Sequence, residues 1–177
     1  GKCSTTHEYD FIKVHPKIVS VLYAADRWES SNVIKKWLDG GYMVVLDRYV
    51  SANQIHQGGK IKNTSKRARF IEWLDKLEYE VFGIPKPDIT VYLSLPINFI
   101  EQLIKERNKT EVRAYAGKNK DVHEVSLDFQ INSRKSALWL AKVLPNFIKI
   151  NCVLRKKLLS RDSIHDMVWK AIENVLV

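Results

Sequence analysis

Gly40-Gly41-Tyr42-Met43-Val44-Val45-Leu46-Asp47-Arg48-Tyr49-Val50-Ser51-Ala52-Asn53 is the stretch on which the fold turns. Tyr42–Leu46 is a continuous apolar run rich in β-formers and introduced by two glycines. It predicts a strand buried on both faces, as in a parallel sheet. Asp47 and Arg48 follow at once. In an open parallel sheet that end of a strand is where ligands bind.

Working outward, Ile89–Leu95 is a second run of this kind, introduced by Pro85-Lys86-Pro87-Asp88. Between the two runs, Phe70, Trp73, Leu74, Leu77 and Val81 recur at helical spacing and predict a helix over about Lys66–Val81. Strand, helix, strand is a βαβ crossover. Upstream, Pro16 opens a helix running to Arg27 or Trp28, with the apolar Ile18, Val21, Leu22 and Ala25 at helical spacing. Ser30–Ser31 predicts a cap for a second helix, Ser31–Asp39, with Val33, Ile34, Trp37 and Leu38 inside; Gly40-Gly41 ends it. Downstream, the pattern predicts helices over Pro96–Arg107 and Val125–Val143, a strand over Phe147–Cys152, and a last helix over Ile164–Leu176 capped by Ser163. Asn108–Asp121 reads as a polar, basic loop. The alternation is that of an α/β protein: a three-layer parallel sheet with helices on both faces, in one domain over residues 1–177. Trp37, Trp73 and Trp139 are expected in the core.

Composition sets the bounds. The chain has 177 residues, 45% apolar and 28% charged, with 29 Lys+Arg against 20 Asp+Glu and a net charge of +9. No apolar run approaches the roughly 18 residues of a membrane span. Gly1–Asp10 is polar and lacks the apolar core of a signal peptide. Cys3 and Cys152 make no disulfide scaffold, and no Cys/His set has zinc spacing. These features exclude collagen-like, disulfide-rich, membrane and disordered classes and suit a reducing cytoplasm. The charge suits an anionic partner: nucleotide, nucleic acid or acidic surface. The basic groups Lys60–Arg69, Lys105–Lys120 and Arg155–Arg161 read equally as solvated faces and loops.

Several constellations carry chemistry. Arg48 is suited to gripping a phosphate with two prongs, and Asp47 to holding Mg²⁺ through water or orienting a neighbour; a structural Asp–Arg pair is the alternative. If 49–58 is helical, Tyr49, Asn53, His56 and Gln57 share one face, and the amides could read a nucleobase edge; a hydrated helix start is the alternative. Tyr23 and Arg27, at i and i+4, could sandwich and hydrogen-bond a planar base, or be core plus a surface Arg. Arg107, Arg113 and Lys118 lie in a basic segment that could close over a phosphoryl group, or be an exposed loop.

Taken together, Leu22-Tyr23-Ala24-Ala25-Asp26-Arg27-Trp28, then Val44–Asn53, then Pro85-Lys86-Pro87-Asp88 before a strand, resemble the thymidylate kinase family, a group of P-loop nucleoside monophosphate kinases. Asp121-Val122-His123-Glu124 and the strand near Ile148 fit the same layout, so the resemblance covers essentially the whole chain. It implies transfer of the γ-phosphoryl of ATP to dTMP, giving dTDP, with Mg²⁺, in a cytoplasmic homodimer with no nucleic-acid or membrane partner. Residue by residue, it implies that Tyr23 stacks on thymine and Arg27 reaches the base edge. Asp47 and Arg48 would serve the acceptor phosphate and metal. Asn53 and Gln57 would lie near base and sugar, with His56 where an aromatic often stands. Arg107 and Arg113 would be catalytic arginines of a short lid, about 107–124. Asp121 and Glu124 match an acidic pair.

The family opens with a buried strand and a Gly-rich P-loop ending in Gly-Lys-Ser/Thr, whose N–H groups cradle ATP. Gly1-Lys2-Cys3-Ser4-Thr5 resembles that ending, but a Cys interrupts it and its spacing to Tyr23 is too short. The expectation is therefore that this strand and P-loop, roughly 40–50 residues, are absent from the sequence. A catalytically inactive relative, or a fragment keeping only the dTMP site, is the second reading, and a basic nucleic-acid-binding domain the third.

Overall fold

The computed structural model describes residues 13–110 and 127–175. It is helix-rich, with a small parallel sheet. Helix α1 runs unbroken from Pro16 to Asp39. The expected break at Ser30–Ser31 is absent because the Ser31 hydroxyl donates to the Trp28 carbonyl (2.7 Å) instead of capping a new helix. A serine satisfied by its own preceding turn lets the helix continue. Its buried face is Val19, Ser20, Ala24, Ser31 and Ile34. Val33, Trp37 and Leu38, expected inside, are exposed, as are Ile18, Val21 and Leu22. The helix ends in a Schellman turn. Gly41 adopts φ 78°, and the Gly41 and Tyr42 amides donate to Leu38 and Trp37; a side chain at Gly41 would be strained there.

The next segment is the main departure from the sequence pattern. Residues 42–46 belong to no strand, and Val45 is 83% exposed. A strand needs a neighbour to take its N–H and C=O groups, and no described strand lies beside this one. The expected βαβ crossover from 42–46 is therefore not formed among the described residues, and a three-layer sheet is not seen there.

After Asp47 and Arg48 come α2 (Val50–Gly59) and α3 (Thr64–Asp75). Helix α3 passes into a π-helical turn, Lys76–Val81. Val81, which recurs at helical spacing with Phe70, Leu74 and Leu77, is 71% exposed, because the wider π turn moves later side chains out of phase with α3. Strand β1 (Thr90–Ser94) follows the Pro-Lys-Pro-Asp entry, and then α4 (Ile97–Thr110). Helix α5 (Leu127–Val143) leads to β2 (Phe147–Asn151). β1 and β2 pair in parallel, with Thr90 opposite Phe147 and Ser94 opposite Asn151. A short hairpin, β3 (Val153–Leu154) and β4 (Lys157–Leu158), precedes α6 (Arg161–Ile172). The cap of α6 is Ser160, whose hydroxyl accepts from the Ser163 amide, rather than Ser163.

The core is Val50, Phe70, Ile71, Leu74, Ile84, Leu140 and Phe147, with Trp73 and Trp139 packed against it. Helix α2 lies tightly on α5. A Cβ placed on Gly59 would sit 2.9 Å from the Ser133 backbone nitrogen, so the absence of a side chain permits this approach. Most of the expected lid, with Arg113, Lys118, Asp121 and Glu124, lies outside the described residues, as does the Gly1–Thr5 segment.

Candidate functional site

Three elements bring charge together at one place. Glu78, on the π turn, has a fully buried side chain, while that of Arg27 on α1 is 13% exposed. Arg27 Nε and Nη2 donate to the two carboxylate oxygens of Glu78 at 2.6 and 2.5 Å. This is the two-pronged geometry that fixes a guanidinium plane. From α2, Asn53 Nδ2 donates to the Ser20 carbonyl (3.2 Å) and approaches Glu78 Oε1 (3.4 Å). A carboxylate this deep is stable only when its lone pairs are met, and these two partners meet them.

Tyr49 joins the cluster at its edge. Its hydroxyl donates to the Pro85 carbonyl at 3.0 Å. Burial pushes its pKa up to about 12; the Glu78 charge adds to this and the Arg27 charge opposes it. The phenol therefore stays protonated as a donor at neutral pH. Close by, Gln54 Nε2 donates to Asp75 Oδ1 at 2.8 Å. Burial raises the Asp75 pKa, with smaller opposing effects from that hydrogen bond and from Lys86.

The structure brings together Arg27 and Asn53 among the residues singled out from the sequence. Tyr23 is exposed on α1. Asp47 and Arg48 are exposed just before α2, and neither makes an ion pair among the described residues. Arg48 has φ 70°, a left-handed conformation that costs a non-glycine residue on the order of 1 kcal/mol. The single face expected for Tyr49, Asn53, His56 and Gln57 is not kept. Tyr49 caps α2 rather than lying in it, and Asn53 turns to α1 and the π turn. His56 turns to α5, where its ring stacks on Phe129 at 5.6 Å and Nδ1 lies 3.2 Å from Ser133 Oγ. Three and four residues apart on a helix still differ by tens of degrees, and two flanking helices divide them. Gln57 is buried, and its Oε1 and the Ser20 hydroxyl find no partner among the described residues. Arg107 belongs to α4.

Glu78 was missed in the sequence. Its signal was a carboxylate four residues after Leu74, inside an otherwise apolar stripe. Asp47 offers unengaged oxygens, which suits Mg²⁺, an ion held through one or two carboxylates with water and phosphate completing its shell. Among the described residues no group of three or more His, Cys, Asp or Glu could hold a metal by itself. No described helix is long and apolar enough to cross a membrane.

The sequence profile of the thymidylate kinase family matches residues 7–164. The thymidylate kinase of Mycobacterium tuberculosis (strain H37Rv) is 27% identical over 122 residues, covering 68% of this chain and 53% of its own length. That of Plasmodium falciparum is 30% identical over 120 residues, covering 64% and 51%. The human thymidylate kinase is 30% identical over 97 residues, covering 55% and 42%. The chain thus spans about half the length of these relatives. With a profile match over most of its residues, the chain belongs to the thymidylate kinase family.

Proposed function

We propose that this chain carries the acceptor half of a dTMP kinase, which transfers the γ-phosphoryl of ATP to dTMP. The reading rests on the family membership, and the meeting of Arg27 and Asn53 at one buried carboxylate supports it. In it, Tyr23 stacks on the thymine and Arg27 donates to the base edge; Asn53 and Gln57, expected near base and sugar, are both buried, with Asn53 held against Ser20 and Glu78 beside Arg27. Arg48 grips the acceptor phosphate, its exposed guanidinium being uncommitted among the described residues. Asp47 would hold Mg²⁺, which neutralises charge on the transferred group. Arg107 and Arg113 close over that group as the lid. Such catalysis is positioning and charge neutralisation, with no covalent intermediate on the protein. The partners proposed are dTMP, ATP and a second copy of the chain, in the cytoplasm.

A thermal-shift panel with dTMP, dUMP, dCMP, dGMP and Mg·ATP tests it. At about 100-fold above Kd a ligand adds roughly 2.7 kcal/mol, a rise of about 5–11 °C for a domain of this size. A shift with dTMP supports the acceptor site, and a further shift with Mg·ATP supports a donor site. No shift with any of them overturns the reading.

A further inference from the structure

Glu78 has no role in the function proposed above, yet it makes the deepest charged contact in the described structure. A buried ion pair adds little net stability compared with apolar packing of the same volume. What it does supply here is orientation. Two parallel hydrogen bonds hold the Arg27 guanidinium by its Nε and Nη2. Of its five N–H donors these use two; one on Nη2 and two on Nη1 remain. The Arg27 side chain as a whole keeps 13% exposure, and no described side chain takes these remaining donors. They can only donate, so a ring facing them must offer an acceptor such as a carbonyl, and a ring offering an amino group there is rejected. The π turn sets the phase that brings Glu78 inside, and such turns recur at functional sites.

We propose that Glu78 is a positioning residue: it locks Arg27 so that the free N–H edge faces the acceptor base and selects a carbonyl over an amino group. This rests on the acceptor-site reading above and assigns to Glu78 the discrimination between dTMP and dCMP.

The test measures dTMP and dCMP affinity by calorimetry for the full chain, Glu78→Gln, Arg27→Lys and Arg27→Ala. It also follows the Arg27 Nε–H by NMR. A held guanidinium gives a slowly exchanging Nε–H in the wild type that exchanges faster in Glu78→Gln. The dTMP-to-dCMP affinity ratio should fall about tenfold in Glu78→Gln, towards the ratio of Arg27→Ala. Adding Glu78→Gln to Arg27→Ala should change it no further. Arg27→Lys keeps the charge but loses the rigid fork, so it should lose the same discrimination while staying folded. That variant decides the matter if Glu78→Gln does not fold. An unchanged ratio in Glu78→Gln or Arg27→Lys overturns the proposal, as does an Arg27 Nε–H that is unprotected in the wild type. If the wild type binds no dTMP, the acceptor-site reading falls, and base selection by Glu78 falls with it. If it binds dTMP and the ratio does not respond, the assignment of Glu78 alone fails.

Discussion

Replacing Arg27 with Met removes the guanidinium while keeping most of the apolar stem. It leaves the Glu78 carboxylate, fully buried, facing only Asn53 Nδ2 at 3.4 Å. Removing one partner of a buried pair costs roughly 3–5 kcal/mol. Arg27 retains 13% exposure, so some water can reach the vacated space, and the lower end, about 3 kcal/mol, is expected. For a chain of this size that lowers Tm by about 6–12 °C. The double variant Arg27→Met/Glu78→Gln removes both charges. Asn53 keeps its bond to the Ser20 carbonyl, and the double variant should lie within about 1 kcal/mol of the wild type. Urea denaturation followed by far-UV circular dichroism, with the slope checked for constancy, measures all members of the cycle. A double variant that loses as much as the two single losses added together refutes the coupling. So does an Arg27→Met loss under about 1 kcal/mol, the value typical of an exposed pair such as Glu72–Lys76.

Gly59→Ala should destabilise by about 1–2 kcal/mol in the same assay. The new Cβ meets the α5 backbone at Ser133 and Asn132, and that overpacking outweighs the gain of about 1 kcal/mol in helix propensity. Asp75→Asn should stabilise the protein at pH 7. Burial raises the folded pKa of Asp75 above its unfolded value, so the wild-type carboxylate is a cost at neutral pH. That cost vanishes once pH falls below the ordinary carboxylate range, so the two proteins should converge at about pH 3–4 in a pH series of melts. Arg48→Ala should abolish dTMP binding in the thermal-shift panel and leave the unliganded Tm within about 2 °C, because the side chain is exposed and unpaired among the described residues. Normal dTMP affinity in that variant would remove Arg48 from the acceptor site.

Local chemistry alone wrote much of this protein. Pro16, Gly40-Gly41, Pro85-Lys86-Pro87-Asp88 and the apolar spacing of Phe70, Trp73, Leu74 and Leu77 placed element starts, stops and faces, because capping, turn geometry and periodicity act within a few residues. The runs at Ile89–Leu95 and Phe147–Cys152 announced the strands that became β1 and β2. The Tyr23…Arg27 and Asp47-Arg48-Tyr49 motifs announced the family. Other features depended on what each segment met in space. The apolar run 42–46 has the composition of a buried strand, but a strand exists only with a partner, and no described strand pairs with it. Ser31 could cap or bond backwards, and continuation of α1 decided for the second. His56 and Asn53 lie three residues apart, yet α5 took one and α1 with the π turn took the other. Glu78, an ordinary charge in a helical stretch, became the buried anchor of Arg27 only because the π turn and α1 close on each other. That pairing joins residues 51 positions apart in the chain, a separation over which local propensity carries no information and only tertiary packing decides.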